Sequence, residues 1–137
     1  MKSPEEIVNQ LMMKNDAFSQ WLGIQVLEIK HGYCKLQMQV RKEMLNGFHI
    51  AHGGITYSLA DSALAFASNS HGYKAVSVET SISHTEALKE GDIIRAEAEE
   101  LHRSNKIGVY QVNIYTMPDK KIVALFKGTV YITSQLW

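Results

Sequence analysis

The fold is decided by the stretch Asn46-Gly-Phe-His-Ile-Ala-His52-Gly53-Gly54-Ile-Thr-Tyr-Ser-Leu-Ala-Asp61-Ser-Ala-Leu-Ala-Phe-Ala-Ser-Asn69. Its first residues, up to Ala51, read as a loop, and the two adjacent glycines mark the start of a helix. From Ile55 to about Ser70 no Gly or Pro interrupts, and Leu, Ala and Phe favour a helix. A helix without a charged face is usually buried. We therefore predict one long buried helix in the middle of the chain.

Asp61 is the one charged residue within this predicted helix. An unpaired buried carboxylate is costly, and burial often shifts its pKa. An interpretation without a functional role is that Asp61 is paired with another residue or lies on an exposed strip of the helix. The sequence offers no basic residue within one helical turn to pair with it. This isolation favours a functional carboxylate.

Gly53 precedes Asp61 by eight residues, which corresponds to about 12 Å along a helix. The Gly53 amide would lie at the helix N-terminus, where N–H groups are free and the helix dipole favours negative charge. It is therefore a candidate donor to a reacting oxygen about 3 Å away. Asp61 lies too far along the same helix to reach the carbon attached to that oxygen. If the two groups form one site, we expect two subunits to share it.

The length, the net charge and the cysteine count limit the classes of protein to which the chain can belong. A chain of 137 residues suits a single domain, which we expect to cover 1–137 with a helical region at 1–22. The net charge is zero, which gives no support for nucleic-acid binding. No apolar run is long enough for a membrane span, and the N-terminus lacks a signal core, so we expect a cytoplasmic protein without a membrane partner. The single cysteine, Cys34, reads as a small apolar strand residue.

The order of predicted elements indicates the fold class. Two alternating segments before the central helix read as a hairpin, and four more strands follow it, the last three joined by hairpins. Gly128 lies inside the final strand and suggests a bulge. Consecutive hairpins imply a mainly antiparallel sheet. We therefore predict an α+β fold in which a curved antiparallel sheet wraps one long buried helix.

The pattern resembles the hotdog-fold acyl-CoA thioesterases, and it is most similar to their PaaI-type (phenylacetic acid degradation) branch. The resemblance covers about residues 20 to 133. It is carried by five features: Asn46, His52-Gly53-Gly54 and Asp61 at their spacings, Gly91-Asp92 opening a strand, His102-Arg-Ser-Asn-Lys106-x-Gly108-x-Tyr110, Val123-Ala-Leu-Phe126-Lys-Gly128, and the strand order.

The resemblance implies a role for each matching residue. Asp61 would act as general base on water or as nucleophile on the thioester carbonyl, and Gly53 would donate its amide to the carbonyl oxygen. Asn46 would orient the carboxylate or the water, and His52 would orient the loop or contact the thioester region. In some relatives a Thr one turn after the carboxylate helps hold the water, whereas this chain has Ala65 there.

The expected substrate is an acyl-CoA or aryl-CoA, hydrolysed to the free acid and coenzyme A. Gly54 is expected to contact it, and Arg103, Lys106 and Lys89 are candidates for holding the phosphates, although each is equally well explained as a solvated turn residue. The family is built on dimers that often pair into tetramers. We therefore expect a homodimer as the minimal unit, in a homotetramer, with no cofactor.

His49 and His52 have a spacing compatible with zinc, but no third ligand of the right type is nearby in sequence, so structural histidines are favoured over a metal site. Two other functions remain beside hydrolysis. The same histidines keep a hotdog hydratase or dehydratase open, and a non-catalytic acyl-CoA sensor on the same fold is the second alternative. His84, in the strand after the helix, either lines the site or caps a strand end.

Overall fold

The computed structural model describes residues 1–137 and consists of short N-terminal helical segments, one long helix and one sheet. The α-helices are α1 (Ala17–Leu22) and α2 (Gly53–Asn69). The strands are β1 (Gln25–Lys30), β2 (Tyr33–Gln39), β3 (Tyr73–His84), β4 (Ile93–Arg103), β5 (Ile107–Met117) and β6 (Ile122–Leu136). They form a six-stranded antiparallel sheet in the order β1-β2-β4-β5-β6-β3. This is the predicted α+β architecture.

Helix α2 lies against the inner face of the sheet. Alternate residues of each strand point towards it, among them Leu36, Ala96 and Val112, and all three are fully buried. Eleven of the 17 helix residues are buried, which confirms the prediction of a buried helix. The residues left partly exposed (Gly53, Tyr57, Ser58, Asp61 and Ala65) and the exposed Gly54 fall on one side of α2.

Gly128 does not form the predicted bulge. It pairs in continuous register with Thr80 of β3 and Tyr110 of β5. Its role is to leave space for the helix, because a Cβ atom at this position would lie 2.5 Å from Cδ2 of Leu64. The glycine therefore marks a close approach of α2 to the sheet.

Strand β3 occupies the edge of the sheet beside β6, although β4 and β5 separate the two in sequence. Its free side presents apolar residues to solvent: Val76 is 56% exposed and Val78 is 61% exposed. An edge strand with unpaired backbone groups and exposed apolar side chains is a surface suited to pairing with another chain.

The N-terminal segments pack against α2. A π-helical segment (Glu6–Met12) and a 3₁₀ turn (Met13–Asn15) precede α1, which Asp16 caps by accepting from the Ser19 amide at 2.9 Å. The Ser19 hydroxyl lies 2.8 Å from that of Ser62 on α2. Gly23 ends α1 in the left-handed conformation, with φ of 75°. None of the helices combines the length and the apolar composition that a membrane span requires.

Candidate active site

Asp61 lies partly buried on the side of α2 that faces β3, and its carboxylate has no ion-pair partner and no hydrogen bond within the chain. Burial raises the pKa of Asp61 above its ordinary value of 3.8, and the negative charge of Asp16 raises it further. Asp16 is held in place by Ser19, whose hydroxyl donates to its Oδ2 at 2.7 Å. A carboxylate with a raised pKa and a free face is a stronger base than one held in an ion pair.

The N-terminus of α2 leaves one amide free. The Gly54 amide donates to Nδ1 of His52 at 2.9 Å, and the Ile55 amide donates to the His52 carbonyl. The Gly53 amide has no acceptor within the chain. A free N–H at the positive end of a 17-residue helix is suited to stabilising a developing oxyanion. His52 is therefore the N-cap of α2. The Gly54 amide donates to it and is not free to donate to a substrate.

Asn46 begins a closed loop that leads to α2. Its Oδ1 accepts from the Phe48 amide at 2.8 Å and from the Ile50 amide at 3.5 Å, and its backbone N–H donates to the Ile50 carbonyl at 2.8 Å. His49, at the tip of the loop, is exposed and has φ of 63°. Because its oxygen is engaged, Asn46 has only its Nδ2 amide to offer, so it can donate to a substrate or a carboxylate.

His84 and Thr56 complete the surroundings of Gly53. The Thr56 hydroxyl donates to the Gly53 carbonyl at 3.0 Å and lies 3.1 Å from Nδ1 of His84. A Cβ atom on Gly53 would lie 3.2 Å from Nε2 of His84. His84 therefore lies directly over the first residue of the helix, whereas sequence reasoning left its position open and missed Thr56.

These residues line a depression of about 340 Å³, which we call the loop pocket. It is formed by the loop before α2, the start of α2 and the segment after β3: Asn46, Ile50, Ala51, Gly53, Thr56, His84, Thr85, Glu86, Ala87 and Leu88. The structure thus brings Asn46 and Gly53 into one depression within one chain.

Asp61 lies in a different depression, of about 280 Å³, which we call the helix–strand cleft. It runs between α2 and the inner face of β3 and β6 and is lined by Asp61, Leu64, Ala65, Ser68, Ala75, Val76, Ser77 and Val130. Within one chain, therefore, the candidate base and the candidate oxyanion donor do not converge.

The candidate phosphate-binding residues also lie in two separate places on the chain. Lys89 lies in a depression of about 410 Å³ that shares Glu86 and Ala87 with the loop pocket. Arg103 and Lys106 lie at the hairpin between β4 and β5, at the opposite end of β4, whose 11 residues span about 35 Å. One chain therefore cannot place Lys89 and Arg103 on the same phosphate group.

Comparisons with known proteins agree with this architecture. The family model for the thioesterase superfamily matches residues 48–123. A putative esterase from Archaeoglobus fulgidus is 45% identical over 126 residues, which cover 92% of this chain and 81% of the relative. The acyl-coenzyme A thioesterase PaaI of Escherichia coli is 38% identical over 117 residues, which cover 85% of this chain and 83% of the relative.

The structure of the E. coli PaaI protein, from the phenylacetic acid degradation operon, matches this one with a TM-score of 0.89 and 36% identity. The match covers 91% of this chain and 90% of that one. It confirms the hotdog fold and the predicted resemblance to the PaaI-type branch. The family model spans the whole of α2, including Gly53 and Asp61, and the strands β3, β4 and β5. The chain belongs to the thioesterase superfamily and is a thioester hydrolase.

Proposed function

We propose that the chain hydrolyses acyl-CoA or aryl-acyl-CoA thioesters, with Asp61 as general base or nucleophile and the Gly53 amide polarising the thioester carbonyl. The observation that carries the proposal is the pair of unsatisfied groups on α2: a carboxylate without a partner and an N-terminal amide without an acceptor. Water attack on a thioester needs a base beside the carbonyl carbon and a donor beside its oxygen. The printed name of the E. coli relative, acyl-coenzyme A thioesterase, supports coenzyme A as the thiol.

We further propose that each site is built by two chains, one of which supplies Gly53 and the other Asp61. The two residues lie in separate depressions of one chain, about 12 Å apart along α2. Two antiparallel copies of α2 around a two-fold axis would place the N-terminus of one helix beside the middle of the other. The partly exposed side of α2, together with the exposed edge of β3, supplies the surface for such a contact.

In this arrangement Asn46 acts as a donor. Its oxygen already accepts from the Phe48 amide, so its Nδ2 is the group available to the carbonyl oxygen or to the partner's Asp61. Either contact orients the reacting groups, and neither transfers a proton. Among the phosphate candidates, Lys89 lies near the loop pocket of its own chain, whereas Arg103 and Lys106 belong to the opposite end of the sheet. Lys89 and the pair Arg103 and Lys106 can therefore contact the same substrate only if the site includes two chains.

The test is an assay of acetyl-, octanoyl-, benzoyl- and phenylacetyl-CoA with the purified protein, in which the released thiol is detected. Hydrolysis of at least one ester, lost in Asp61→Asn, is the expected result. Hydration of an unsaturated acyl-CoA without thiol release would indicate a hydratase. Tight binding of the esters without turnover would indicate a sensor. Either result would overturn the proposal.

A further inference from the structure

We propose that His84 is a further catalytic residue, which donates a proton from Nε2 to the thioester sulfur as the carbon–sulfur bond breaks. This inference rests on the proposed function, because it assumes that the thioester carbonyl accepts from the Gly53 amide. It goes further in assigning the group that protonates the leaving thiolate, a task that neither the base nor the oxyanion donor performs.

The hydrogen bonds of Thr56 determine which nitrogen of His84 can titrate. The Thr56 hydroxyl has one proton and donates it to the Gly53 carbonyl at 3.0 Å, because a carbonyl can only accept. The same hydroxyl lies 3.1 Å from Nδ1 of His84, and this contact is then a hydrogen bond only if Nδ1 carries a proton and donates it. The hydrogen-bond pattern thus assigns a permanent proton to Nδ1. Nε2 is the nitrogen that gains and loses a proton.

Nε2 of His84 is directed at the first residue of α2. A Cβ atom on Gly53 would lie 3.2 Å from Nε2, with the ring carbons Cε1 and Cδ2 behind it at 3.5 and 3.9 Å. Because N and Cβ of one residue are roughly 2.5 Å apart, Nε2 lies no more than about 6 Å from the Gly53 nitrogen. A carbonyl oxygen that accepts from this amide lies about 2.9 Å from the nitrogen. The thioester sulfur is bonded to the same carbon as that oxygen, so it comes within reach of Nε2.

The surroundings of His84 leave Nε2 free for a substrate. His84 is exposed and lines the loop pocket, and the only other titratable residue of that pocket is Glu86, whose carboxylate pairs with Lys121 at 3.3 Å. On α2, the N-cap His52 holds a helix amide through its Nδ1, and the first two turns carry no charged residue. The residue paired with His84 on β6 is Ala124. None of these neighbours therefore forms an ion pair with the imidazole.

The proposed step places one proton on the sulfur and removes one from water. In the general-base route, water adds to the carbonyl carbon and gives a proton to Asp61. The carbon–sulfur bond then breaks with its electron pair on sulfur, and sulfur takes the Nε2 proton of His84. The products are the free acid and the thiol of coenzyme A, after which solvent takes the proton from Asp61 and returns one to His84. If Asp61 is instead the nucleophile, the same bond breaks with the same proton transfer, and water then hydrolyses the anhydride.

Protonation of the leaving group is useful because a thiolate is basic. An alkyl thiol such as the cysteine side chain has a pKa of about 8.5, so at neutral pH the protonated form is favoured. A proton delivered during bond cleavage prevents the thiolate from attacking the carbonyl carbon again. An imidazole titrates near neutral pH, which makes it an effective acid under these conditions.

The test compares two leaving groups that differ in their need for a proton. His84→Gln keeps a hydrogen-bonding side chain at this position but cannot act as an acid. With the best acyl-CoA of the panel, we expect the variant to lose on the order of 10² in kcat/KM. With the 4-nitrothiophenol ester of the same acyl group, whose thiolate leaves without a proton, the loss should be less than about threefold.

Two further measurements separate acid catalysis from a structural role. Thr56→Val removes the hydroxyl that holds Nδ1 while nearly keeping the shape of the buried side chain, so it should also lower activity towards the acyl-CoA selectively. Thr56→Ser keeps the hydroxyl and should lose less. In the wild type, kcat/KM for the acyl-CoA should fall at alkaline pH as the imidazolium loses its proton. This alkaline limb should be absent in His84→Gln and present in Glu86→Gln.

Equal losses with both leaving groups, or an alkaline limb that survives in His84→Gln, would overturn the inference. If the wild type does not accept the nitrothiophenol ester, the pH profile and the two Thr56 variants decide. Full activity of His84→Gln beside an inactive Asp61→Asn would refute the role of His84 and leave the proposed function intact. A wild type that hydrolyses no thioester would refute both. Thermal unfolding verifies that each variant is folded, which the exposure of His84 leads us to expect.

Discussion

A mixture of two inactive variants should regain about a quarter of the wild-type activity. The first variant, Asp61→Asn, lacks the base, and the second, Gly53→Pro, lacks the amide donor. Proline is tolerated at the first position of a helix, and His52 already has the extended ψ of 138° that a following proline requires. Loss of an oxyanion donor costs on the order of 10²–10³ in rate, and loss of a general base on the order of 10²–10⁴.

The magnitude follows from the proposed site. After mild dissociation and random reassembly of equal amounts, roughly half of the two-fold pairs contain one chain of each kind. In a mixed pair, one site carries both defects and the other carries neither. About a quarter of all sites are then intact, against roughly 1% or less of the activity in either parent. Dimers of dimers give the same fraction, because each site still draws on one pair of chains.

The assay measures thiol release from the best ester before and after mixing, and native mass spectrometry verifies subunit exchange. Gly53→Ala is the matched control, because it adds the same Cβ atom near His84 but keeps the N–H. It should retain far more activity than Gly53→Pro. No recovery in a mixture with demonstrated exchange and folded variants would show that one chain builds the whole site, and the two-chain proposal would be wrong.

The remaining predictions concern single variants. Asp61→Asn should raise the stability of the protein to denaturant at neutral pH but not below pH 3.8. The reason is that the pKa of Asp61 is raised in the folded protein, so the ionised carboxylate destabilises the fold once the pH exceeds the ordinary pKa of 3.8. Equal stability of the variant and the wild type at neutral pH would contradict this. Asp16→Asn keeps the cap of α1 but removes a charge that raises the pKa of Asp61, so the acid limb of kcat/KM should move to lower pH; an unmoved profile would rule out the coupling. Asn46→Ala should lower kcat roughly tenfold to hundredfold with little change in KM, since an orienting group acts on alignment; a raised KM alone would make Asn46 a binding residue. Gly128→Ala should destabilise the fold by about 1–3 kcal/mol in chemical unfolding, because its Cβ would lie 2.5 Å from Leu64; an unchanged midpoint would show that the helix moves away freely.

The sequence predicted the elements of the fold better than their arrangement. Period-two alternation and turn residues located the strands, and the uncharged stretch after Gly53 located α2, because both signals are local. The position of β3 beside β6 was not predicted, since that pairing joins residues about 50 positions apart in sequence and no local signal encodes it. The prediction of a bulge at Gly128 was wrong for the same reason. A glycine within a strand is the same signal in sequence whether it forms a bulge or, as here, leaves space for Leu64 of the helix.

The candidate site was predictable where a residue type is unusual for its surroundings. Asp61 is conspicuous on an uncharged helix, and Gly53 is conspicuous at its start. Asp16 and Thr56 were missed because an N-cap aspartate and a helical threonine are ordinary residues whose effects on Asp61 and His84 arise only from tertiary contacts. The separation of the loop pocket from the helix–strand cleft likewise arises only from tertiary structure, although the spacing of Gly53 and Asp61 by itself predicts a site shared by two chains.

The buried thiol of Cys34 makes the proposed assays simpler. Its side chain is fully buried and donates to the Ala63 carbonyl at 3.2 Å, and burial raises its pKa, so the reactive thiolate is suppressed in the folded protein. It is also the only cysteine of the chain. A colorimetric disulfide reagent added to the folded enzyme should therefore detect released coenzyme A almost without background from the protein. In denaturant the same reagent should titrate one thiol per chain, so that a single dye reports both turnover and unfolding.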